Sequence, residues 1–430
     1  MINSLIARKR LQDQPAARLP VSARRMTMAK PRKVKAAVIG CGTISNIYME
    51  NLASKFSIID LVGCSDLIPE RSAARAQKFG IRQMTNEEIL NDPEIEVVMN
   101  LTFPEAHFEV SKAALLAGKH VCVEKMMTVT LAEATELMDL ARSKNLFLCT
   151  APDTFLGGGW QSARKYVDDG LIGRPVSISA VCTTNYSPNT PMFDVNPDFF
   201  FFPLHPGGGV PYDLGGYYIH NMINLLGPVK RVTGFGGNLE PNRFFSNPHH
   251  PWYKEPFIVN TETTIAGTLE FENGCVGTIL FSSDSSNFDS FSVQGTDASL
   301  VMFHPNFYSG DLTLRRLSSA PAPMFAPPTP PAQQNVIVRG VVTEHKLPML
   351  HGYLDNNRGI GLADMAYALR NGRKPRLHGE LGYHAFEIIY GILESCRTGQ
   401  VYEMTSRCER PAMIRASALV ATAQEITLDD

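Results

Sequence analysis

A chain of 430 residues is too long for one ordinary domain, so two domains are expected. Hydrophobic residues make up 44% of the chain and charged residues 19%, which is typical of a soluble globular protein. The formal net charge of −2 excludes the basic excess of a general nucleic-acid-binding protein. No uninterrupted apolar stretch reaches the ~20 residues of a transmembrane helix, so no membrane partner is expected.

The first 33 residues contain nine basic residues and one acidic residue, Asp13. An Arg-rich, acid-poor start can be a targeting peptide, and the pair Arg24-Arg25 also occurs in twin-arginine export signals. No apolar region follows that pair. We therefore expect residues 1–32 to be a flexible basic arm, or a start whose translation begins near Met26 or Met28.

The eight cysteines form no Cys-x-x-Cys pair, and most of them lie in apolar, strand-like runs. Cysteine in such runs behaves as a small hydrophobic residue. This usage predicts a reducing, cytoplasmic compartment.

Strands and helices alternate in the first third of the chain. Strands are predicted at residues 34–39, 58–65, 94–101, 120–124 and 146–150. Helices are predicted at residues 44–54, 69–79, 105–117 and 131–144. This alternation indicates βαβ units and a doubly wound parallel sheet over residues 33–151.

The alternation stops after residue 151, and residues 152–430 are predicted to form a second, α+β domain. Its predicted strands are at residues 176–184, 231–236, 261–271, 274–283, 291–295 and 299–303, and its predicted helices at residues 161–169, 361–370 and 383–396. Turn signals such as Glu272-Asn273-Gly274 favour a large, mostly antiparallel open sheet. The proline-rich residues 320–334 are predicted to be an exposed loop.

A glycine pattern, Gly40-x-Gly42-x-x-Ser45, follows the first strand and begins the first helix. A dinucleotide fingerprint needs glycine at the tight turn and where backbone meets the pyrophosphate, which binds the helix N-terminus. Ser45 is small, as the third position requires. An ordinary tight strand–helix turn is the alternative, but the position at the start of a βαβ series favours a nicotinamide dinucleotide.

Asp66 follows the second strand, 24 residues after Gly42, where an acid can bind the adenosine ribose hydroxyls. A carboxylate there repels a 2′-phosphate, so NAD is favoured over NADP. Capping of the helix that begins at Pro69 is an alternative role, and Arg71 and Arg75 are close enough in sequence to bind a phosphate instead.

Two further groups of residues carry chemistry. Glu124-Lys125 ends a predicted strand, and ligands of open α/β sheets bind beyond the carboxyl ends of strands. Asp213 and Tyr217, in the glycine-rich run from residue 207 to residue 220, are four apart and would share one face of a helix. For Glu124-Lys125, the alternative is a pair of solvated surface charges. For the second group, the alternative is that Asp213 caps a helix and Tyr217 is a buried aromatic residue.

Taken in order, these motifs resemble the glucose–fructose oxidoreductase/inositol dehydrogenase (Gfo/Idh/MocA) family over residues 33–405. The segment from Asn100 to His107 is one of the elements that follow the family's order. The most specific part is the segment from Ala117 to Lys125, combined with the glycine-rich run that contains Asp213. The resemblance implies a Rossmann domain followed by the antiparallel sheet, and a homodimer or homotetramer formed through that sheet.

The resemblance also implies residue roles. It implies Lys125, Tyr217 and Asp213 as catalytic residues, with Tyr217 as the proton-transfer group where many members have histidine. The residues expected to bind the cofactor are Gly40, Gly42, Thr43, Ile44, Asp66, Thr102, Phe103, His107, Glu124 and Lys125. The residues expected to bind substrate are Asp153, Phe155, Tyr186, Asp213 and Tyr217.

Two residues depart from the family's pattern: Met126 replaces the proline of Glu-Lys-Pro, and Ser45 replaces the third glycine or alanine. Residues 185–202, which include Tyr186, are rich in aromatic and acidic side chains that suit a sugar, although a subunit contact is an equal alternative. The histidines show no metal-ligand spacing, so no metal is expected.

The resulting hypothesis is an NAD(P)-dependent oxidoreductase acting on a hydroxyl-bearing carbon of a sugar, sugar derivative or cyclitol. One alternative is a redox-neutral sugar-modifying enzyme, a glycosidase, lyase or two-sugar oxidoreductase, with tightly bound NAD(P). Another is a non-catalytic, ligand-sensing regulator, because a fold alone does not determine function.

Overall fold

The computed structural model describes residues 31–184, 209–245, 248–249, 252–318, 341–415 and 428. Residues 1–30 of the predicted arm, the segment 185–202 with Tyr186, and the proline-rich residues 320–334 lie outside the described residues. None of the described helices is long and apolar enough to cross a membrane.

The first sheet contains six strands, and every neighbouring pair is parallel. The strands are β1 (Val34–Ile39), β2 (Ile59–Ser65), β3 (Arg82–Gln83), β4 (Val97–Asn100), β5 (His120–Val123) and β6 (Leu148–Thr150). Their order, β3-β2-β1-β4-β5-β6, reverses direction between β1 and β4, as in a doubly wound nucleotide-binding sheet.

Helices connect these strands. They are α1 (Ser45–Ser54), α2 (Pro69–Phe79), α3 (Asn86–Asn91), α4 (Pro104–Leu116) and α5 (Leu131–Ser143). Local sequence sets several ends: α2 has Pro69 in its first turn and the left-handed Gly80 after its last, and α5 begins with a Thr130/Glu133 capping box. The prediction of α2 is confirmed at both ends. The short β3 and α3 were not predicted.

The second sheet contains nine strands in the order β16-β15-β14-β13-β7-β12-β11-β8-β17. In chain order they are β7 (Pro175–Thr183), β8 (Val229–Gly237), β11 (Thr264–Phe271), β12 (Val276–Ser282), β13 (Phe288–Gly295), β14 (Ser299–Met302), β15 (Leu312–Ser318), β16 (Val341–Leu347) and β17 (Tyr402–Glu403), while β9 (Asn242–Phe244) and β10 (Pro256–Ile258) form a separate pair. Only β7 and β12 pair in parallel in this sheet. The predicted fold class, a Rossmann sheet followed by a mostly antiparallel sheet, is confirmed.

The described α-helices of the second region come after β6 in the chain. They are α6 (Gly158–Asp168), α7 (Val210–Asp213), α8 (Gly215–Leu226), α9 (Ile360–Asn371) and α10 (Gly379–Thr398). Helix α10 packs against β6 of the first sheet and β8 of the second, and every residue of α8 is buried. This packing brings α7 and α8 to the carboxyl end of the first sheet.

Candidate active site

The turn after β1, residues 40–45, is here called the glycine loop. Gly40 has φ of +101°, and a Cβ atom there would lie 2.6 Å from the backbone carbon of Leu101, so only glycine fits. A Cβ atom on Gly42 would meet no protein atom within 4 Å. The loop is therefore tightly packed at Gly40 and open at Gly42, which is the shape that lets a pyrophosphate approach the backbone.

The Ser45 side chain stabilises the glycine loop through hydrogen bonds. Its buried hydroxyl donates a hydrogen bond to the carbonyl oxygen of Gly42 (2.6 Å), and Arg75 Nε donates to the same hydroxyl (3.0 Å). Arg75 Nη2 also reaches the Gly42 carbonyl oxygen (3.3 Å). The departure at Ser45 thus preserves the small residue and adds two contacts that glycine or alanine would lack.

Asp66 joins the end of β2 to the glycine loop. Its Oδ2 atom accepts a hydrogen bond from the Cys41 N–H (2.6 Å), and its Oδ1 atom accepts one from the Ile68 N–H (2.8 Å). The second bond supports the chain just before α2, so the capping alternative describes part of its role. The carboxylate is half-buried at the same end of the sheet as Gly42.

His107 lies beneath the loops that follow β4 and β5. Its side chain is 1% exposed, and its ring nitrogens contact the carbonyl oxygens of Met126 (2.7 Å) and Thr102 (2.9 Å). Burial lowers the pKa of His107, so the ring is neutral at pH 7 and donates to one of the two carbonyls. His107 therefore holds two loops together, and Phe103 is exposed beside them. That His107 binds the cofactor stays a prediction.

Glu124 and Lys125 are not a solvated surface pair. Glu124 is 7% exposed, and it accepts hydrogen bonds from the Tyr48 hydroxyl (2.5 Å) and from the Lys125 backbone N–H (3.0 Å). The Lys125 ammonium forms an ion pair with Asp213 in which the side chains are 13% and 15% exposed. Met126 stands where the resemblance expects proline, and the Lys125–Met126 peptide is cis.

Asp213 and Tyr217 approach Lys125 from two helices rather than one. Helix α7 ends at Asp213, and α8 begins at Gly215, so the predicted single helix is interrupted at Leu214. The Lys125 ammonium lies 5.9 Å from the centre of the Tyr217 ring. Lys125, Asp213 and Tyr217 are here called the reaction cluster.

Electrostatics hold the reaction cluster in a definite charge state. Burial by itself lowers the pKa of Lys125, but the negative charges of Asp213 and Glu124 and the Tyr217 phenol outweigh it and raise the pKa above its usual value. Lys125 is therefore protonated at neutral pH. Burial raises the pKa of Tyr217 above its usual value, and the positive charges of Lys125 and Arg358 oppose this only in part.

Three residues at the site were missed from the sequence: Tyr48, Tyr308 and Arg358. Tyr48 donates to Glu124, and the Tyr308 hydroxyl donates to Asp153 (2.5 Å). The phenols of Tyr217, Tyr308 and Tyr48 raise the pKa of Arg358, although burial acts in the opposite direction. No motif marks Tyr308 or Arg358, since they lie in loops of the second region, whereas Tyr48 lies in the first turn after the fingerprint and could have been suspected.

Comparison with known proteins adds to this geometry. The sequence profile described as "Oxidoreductase family, NAD-binding Rossmann fold" (GFO_IDH_MocA) matches residues 34–151, and the profile of the "GFO/IDH/MocA C-terminal domain" matches residues 160–301. The chain belongs to the GFO/IDH/MocA oxidoreductase family. The resemblance predicted from the sequence is thereby confirmed.

Curated relatives of this GFO/IDH/MocA protein include several oxidoreductases. An uncharacterized oxidoreductase of Schizosaccharomyces pombe is 32% identical over 206 residues, 46% of this chain and 54% of the relative. Levoglucosan dehydrogenase of Pseudarthrobacter phenanthrenivorans is 26% identical over 254 residues, 54% of this chain and 62% of the relative. Inositol 2-dehydrogenase of Salmonella typhimurium is 29% identical over 150 residues, 34% of this chain and 44% of the relative. The chain spans about half the length of the curated relatives it matches.

Solved structures share the fold of this family member. A levoglucosan dehydrogenase in complex with NADH has a TM-score of 0.70 at 20% identity, over 87% of this chain and all of that one. An oxidoreductase from Agrobacterium radiobacter in complex with NAD+, L-tartaric acid and magnesium has a TM-score of 0.66 at 15% identity, over 86% of this chain and 98% of that one. At these identities the likeness shows the fold alone.

Two residues expected to bind substrate lie inside the protein. Phe155 has no exposed surface and packs 6.1 Å from the His220 ring, and Asp153 is 2% exposed. Asp153 accepts hydrogen bonds from Tyr308 and from the backbone N–H groups of Gly359 and Gly361. The side chains of Asp153 and Phe155 thus anchor a loop and fill the interior, and their contact with substrate stays a prediction.

The two remaining substrate-binding predictions, Asp213 and Tyr217, are brought together with Lys125, while Tyr186 lies outside the described residues. Across the described ranges, no group of three His, Cys, Asp or Glu residues is arranged to hold a metal ion. Of the histidines singled out from the sequence, His220 is buried in α8, and its Nδ1 atom contacts the Gly216 carbonyl oxygen (2.8 Å). His205 and His250 lie outside the described residues.

Proposed function

We propose that this protein is an NAD(P)-dependent dehydrogenase that acts on a hydroxyl-bearing carbon of a sugar, sugar derivative or cyclitol. The observation that carries the proposal is the reaction cluster. A charged lysine and its aspartate partner, both half-buried, lie with a buried tyrosine at the carboxyl end of a parallel sheet, where ligands of such sheets bind. The glycine loop lies at the same end of that sheet.

The residues present fit a dinucleotide. The open space beside Gly42 would admit the pyrophosphate, with the backbone of Thr43 and Ile44 at the start of α1. Asp66 would bind the adenosine ribose and favour NAD, while Arg75, close to the same loop, could serve the 2′-phosphate of NADP. Thr102, Phe103, Glu124 and Lys125 would surround the nicotinamide end. When bound, the nicotinamide supplies reversible hydride transfer with the alcohol carbon.

Residues of the chain carry out the proton transfer. In the oxidation direction, Tyr217 first releases its phenolic proton to solvent and then accepts the proton of the substrate hydroxyl as that carbon becomes a carbonyl. The positive charge of Lys125 stabilises the phenolate. Asp213 keeps Lys125 charged and orients the ring of the substrate.

The names of the relatives support the substrate class. Levoglucosan dehydrogenase and inositol 2-dehydrogenase are named for a sugar derivative and a cyclitol. Their sequences align with this chain over residues that make up roughly a third to a half of it, so a substrate of the same chemical class is a proposal for this protein.

The test is to purify the protein and follow reduced-nicotinamide absorbance with NAD or NADP against sugars, cyclitols and sugar acids. Lys125→Ala should lower turnover by about 10²–10⁴-fold while dinucleotide binding persists. The matched control is Lys346→Ala, an exposed lysine paired with Asp311, which should leave turnover unchanged. Unchanged turnover in Lys125→Ala would overturn the proposal.

Other results of the same assay discriminate the rival functions. Dinucleotide retained through purification with no net formation of reduced nicotinamide would replace the proposal with a redox-neutral sugar-modifying enzyme. No affinity for any dinucleotide would replace it with a ligand-sensing regulator. Neither rival is favoured by a specific feature of the described residues.

We also propose that the open face of the second sheet makes the contact of a homodimer or homotetramer. Its strands expose Phe235, Phe288, Leu317 and Val342, each more than half exposed, which is unusual for a face that meets only water. Light scattering after size exclusion should give twice or four times the mass of one chain, 47.4 kDa. A monomer at micromolar concentration would contradict this assembly.

A cytoplasmic location is proposed as well. All eight cysteines are unpaired thiols, six of them buried, as expected for a protein kept in a reducing compartment. Cell fractionation that finds the active protein in an oxidising compartment would contradict this location.

A further inference from the structure

Arg75 of α2 contacts the glycine loop and the first turn of the neighbouring helix α1. Its Nε atom donates a hydrogen bond to the Ser45 hydroxyl (3.0 Å), and its Nη2 atom donates one to the Gly42 carbonyl oxygen (3.3 Å). Its Nη1 atom donates one to Asn46 Oδ1 (3.4 Å). Three of the five N–H groups of this guanidinium are therefore bonded to residues at the start of α1.

The Gly42 carbonyl oxygen is held by three donors. Besides Arg75 Nη2, these are the Ser45 hydroxyl (2.6 Å) and the Ser45 backbone N–H (3.3 Å). The peptide bond between Gly42 and Thr43 is trans, and in a planar trans peptide the N–H points away from the C=O. Because the carbonyl is held towards Arg75 and Ser45, the Thr43 N–H points to the opposite side. Arg75 thus helps to fix the direction of a backbone N–H at the start of a helix, where anions bind.

Arg75 also adds positive charge at the N-terminus of α1. This helix has no acidic residue in its first turn, and the Lys78 ammonium donates to the same Asn46 Oδ1 atom (2.7 Å). The N-terminus of a helix is itself positive, so cations beside it are unfavourable unless an anion also binds there. The three partners of the half-buried Arg75 are neutral, and among the residues that the structure describes no carboxylate lies within ion-pair distance of it. This excess of positive charge suits an anionic ligand.

Of the two anionic groups that a dinucleotide can bring, these contacts favour the pyrophosphate. The 2′-phosphate of NADP would lie at the adenosine ribose, which is proposed to bind Asp66, and the negative charge of that carboxylate opposes a phosphate. Arg75 is bonded instead to Gly42 and Ser45, the loop where the pyrophosphate is proposed to bind.

We propose that Arg75 is a positioning residue for the pyrophosphate of the dinucleotide, which holds the Gly42 carbonyl away from the ligand and keeps a positive charge beside the glycine loop. This inference rests on the proposed function, in which that loop binds a nicotinamide dinucleotide. NAD and NADP share the pyrophosphate, so Arg75 strengthens the binding of both and does not select between them.

The test measures dinucleotide binding without turnover. Isothermal titration calorimetry gives the dissociation constants of NAD and NADP for the parent protein and for each variant. Arg75→Gln and Arg75→Met both remove the charge, and Arg75→Lys keeps it. The matched control is Arg142→Gln, which changes an arginine of α5 that is 67% exposed and paired with Asp139. Near-ultraviolet circular dichroism identifies which neutral variant folds.

A folded neutral variant should raise the dissociation constant for NAD at least about tenfold, the loss expected when a hydrogen bond from a charged donor is removed. The dissociation constant for NADP should rise by the same factor. Arg75→Lys should weaken binding by less, because its ammonium keeps the charge but cannot bond three acceptors in the geometry of a guanidinium. Arg142→Gln should leave both constants unchanged.

Failure of this inference and failure of the proposed function give different results. Unchanged NAD affinity in a folded neutral variant of a parent protein that binds NAD would overturn the role of Arg75 alone. A loss of NADP affinity without a loss of NAD affinity would also overturn it and would assign Arg75 to the 2′-phosphate. A parent protein that binds neither dinucleotide would overturn the proposed function and this inference with it. Equal losses for NAD and NADP, with partial recovery in Arg75→Lys, would support both.

Discussion

The glycine loop and the reaction cluster lie at the same end of the first sheet, yet the chain builds them differently. The glycine loop comes from consecutive residues, and its key contacts involve backbone, such as the Asp66 bond to the Cys41 N–H. The reaction cluster joins side chains separated by 88 residues in sequence, and its central contact is an ion pair. The glycine loop should therefore be sensitive to substitutions that change shape, and the reaction cluster to substitutions that change charge.

This difference has a physical reason. A pyrophosphate is bound by backbone N–H groups at the start of a helix. Any residue that adopts the required backbone conformation therefore suffices, and a side chain there would block the ligand. Proton transfer requires ionisable groups out of water, and each buried charge must then be balanced by another. Predictions that alter shape or charge in one place test the comparison directly.

The largest effect is expected from unbalancing the charge of the reaction cluster. Asp213→Asn leaves the buried Lys125 ammonium without its partner, which should lower the free energy of unfolding by about 3–5 kcal/mol. Urea denaturation at pH 7.5 measures the change. The matched control is Glu344→Gln, which breaks an exposed ion pair with Arg315 (2.7 Å) and should cost less than about 1 kcal/mol. Equal losses in the two variants would show that the cluster is not held by charge.

A smaller effect is expected from adding one methyl group to the glycine loop. Gly40→Ala places Cβ against the Leu101 backbone and should lower the free energy of unfolding by about 1–3 kcal/mol with no cofactor present. Gly42→Ala meets no protein atom and should change it by no more than about 0.5 kcal/mol.

Both alanine variants should nevertheless bind the cofactor more weakly than the parent protein. In Gly42→Ala the added methyl group occupies the space proposed for the pyrophosphate, so the dissociation constant for NAD should rise at least about tenfold. Fluorescence titration of both variants checks this. Normal NAD affinity in Gly42→Ala would place the dinucleotide elsewhere.

The smallest change in the free energy of unfolding is expected from a lower pH. It comes from two histidines in the helices behind the reaction cluster. Burial lowers the pKa of His220 in α8 and of His384 in α10 to about 4. Both are neutral in the folded state, while the unfolded chain protonates them below pH 6.5. Their contribution to the free energy of unfolding is therefore complete above pH 6.5 and is lost as the pH falls towards 4. At pH 5.5 the loss is about 1 kcal/mol per histidine.

Urea midpoints at pH 7.5 and pH 5.5 measure that loss. His384→Gln, whose amide can keep a hydrogen bond with the Val229 N–H, should lose less stability between the two pH values than the parent protein. A parent protein equally stable at both values would show that these histidines are not buried as neutral rings.

Much of the fold could be predicted because local pattern decides it. Strands of the first sheet are buried on both faces, so β4 and β5 appear as continuous apolar runs, and capping residues define the intervening helices. The strands β15 and β16 were missed, although Leu312 and Leu314 alternate with outward-facing residues, because a proline-rich stretch separates the two strands. The domain boundary placed at residues 151 and 152 stays a prediction.

The site could be predicted only where a motif carried it. Lys125, Asp213 and Tyr217 lie in recognisable segments and are close together in the structure. His107, Asp153 and Phe155 also lie in such segments, and the structure adds that all three are buried. Sequence position does not reveal which way a side chain points, so their binding roles stay predictions. Arg358 had no motif, since its loop is held by residues far away in sequence: Asn51 donates to the Arg358 carbonyl oxygen, and Asp153 accepts from the Gly359 N–H.

The sequence by itself determined the family, the order of the strands and helices, and the glycine loop, because each depends on neighbouring residues and on the backbone they permit. Only the tertiary structure decided which charges balance one another at the reaction cluster. Burial and distance govern the energy of a charge, and neither is written in the local sequence. For this protein, that decision pairs Lys125 with Asp213 and places the Lys125 ammonium beside the ring of Tyr217.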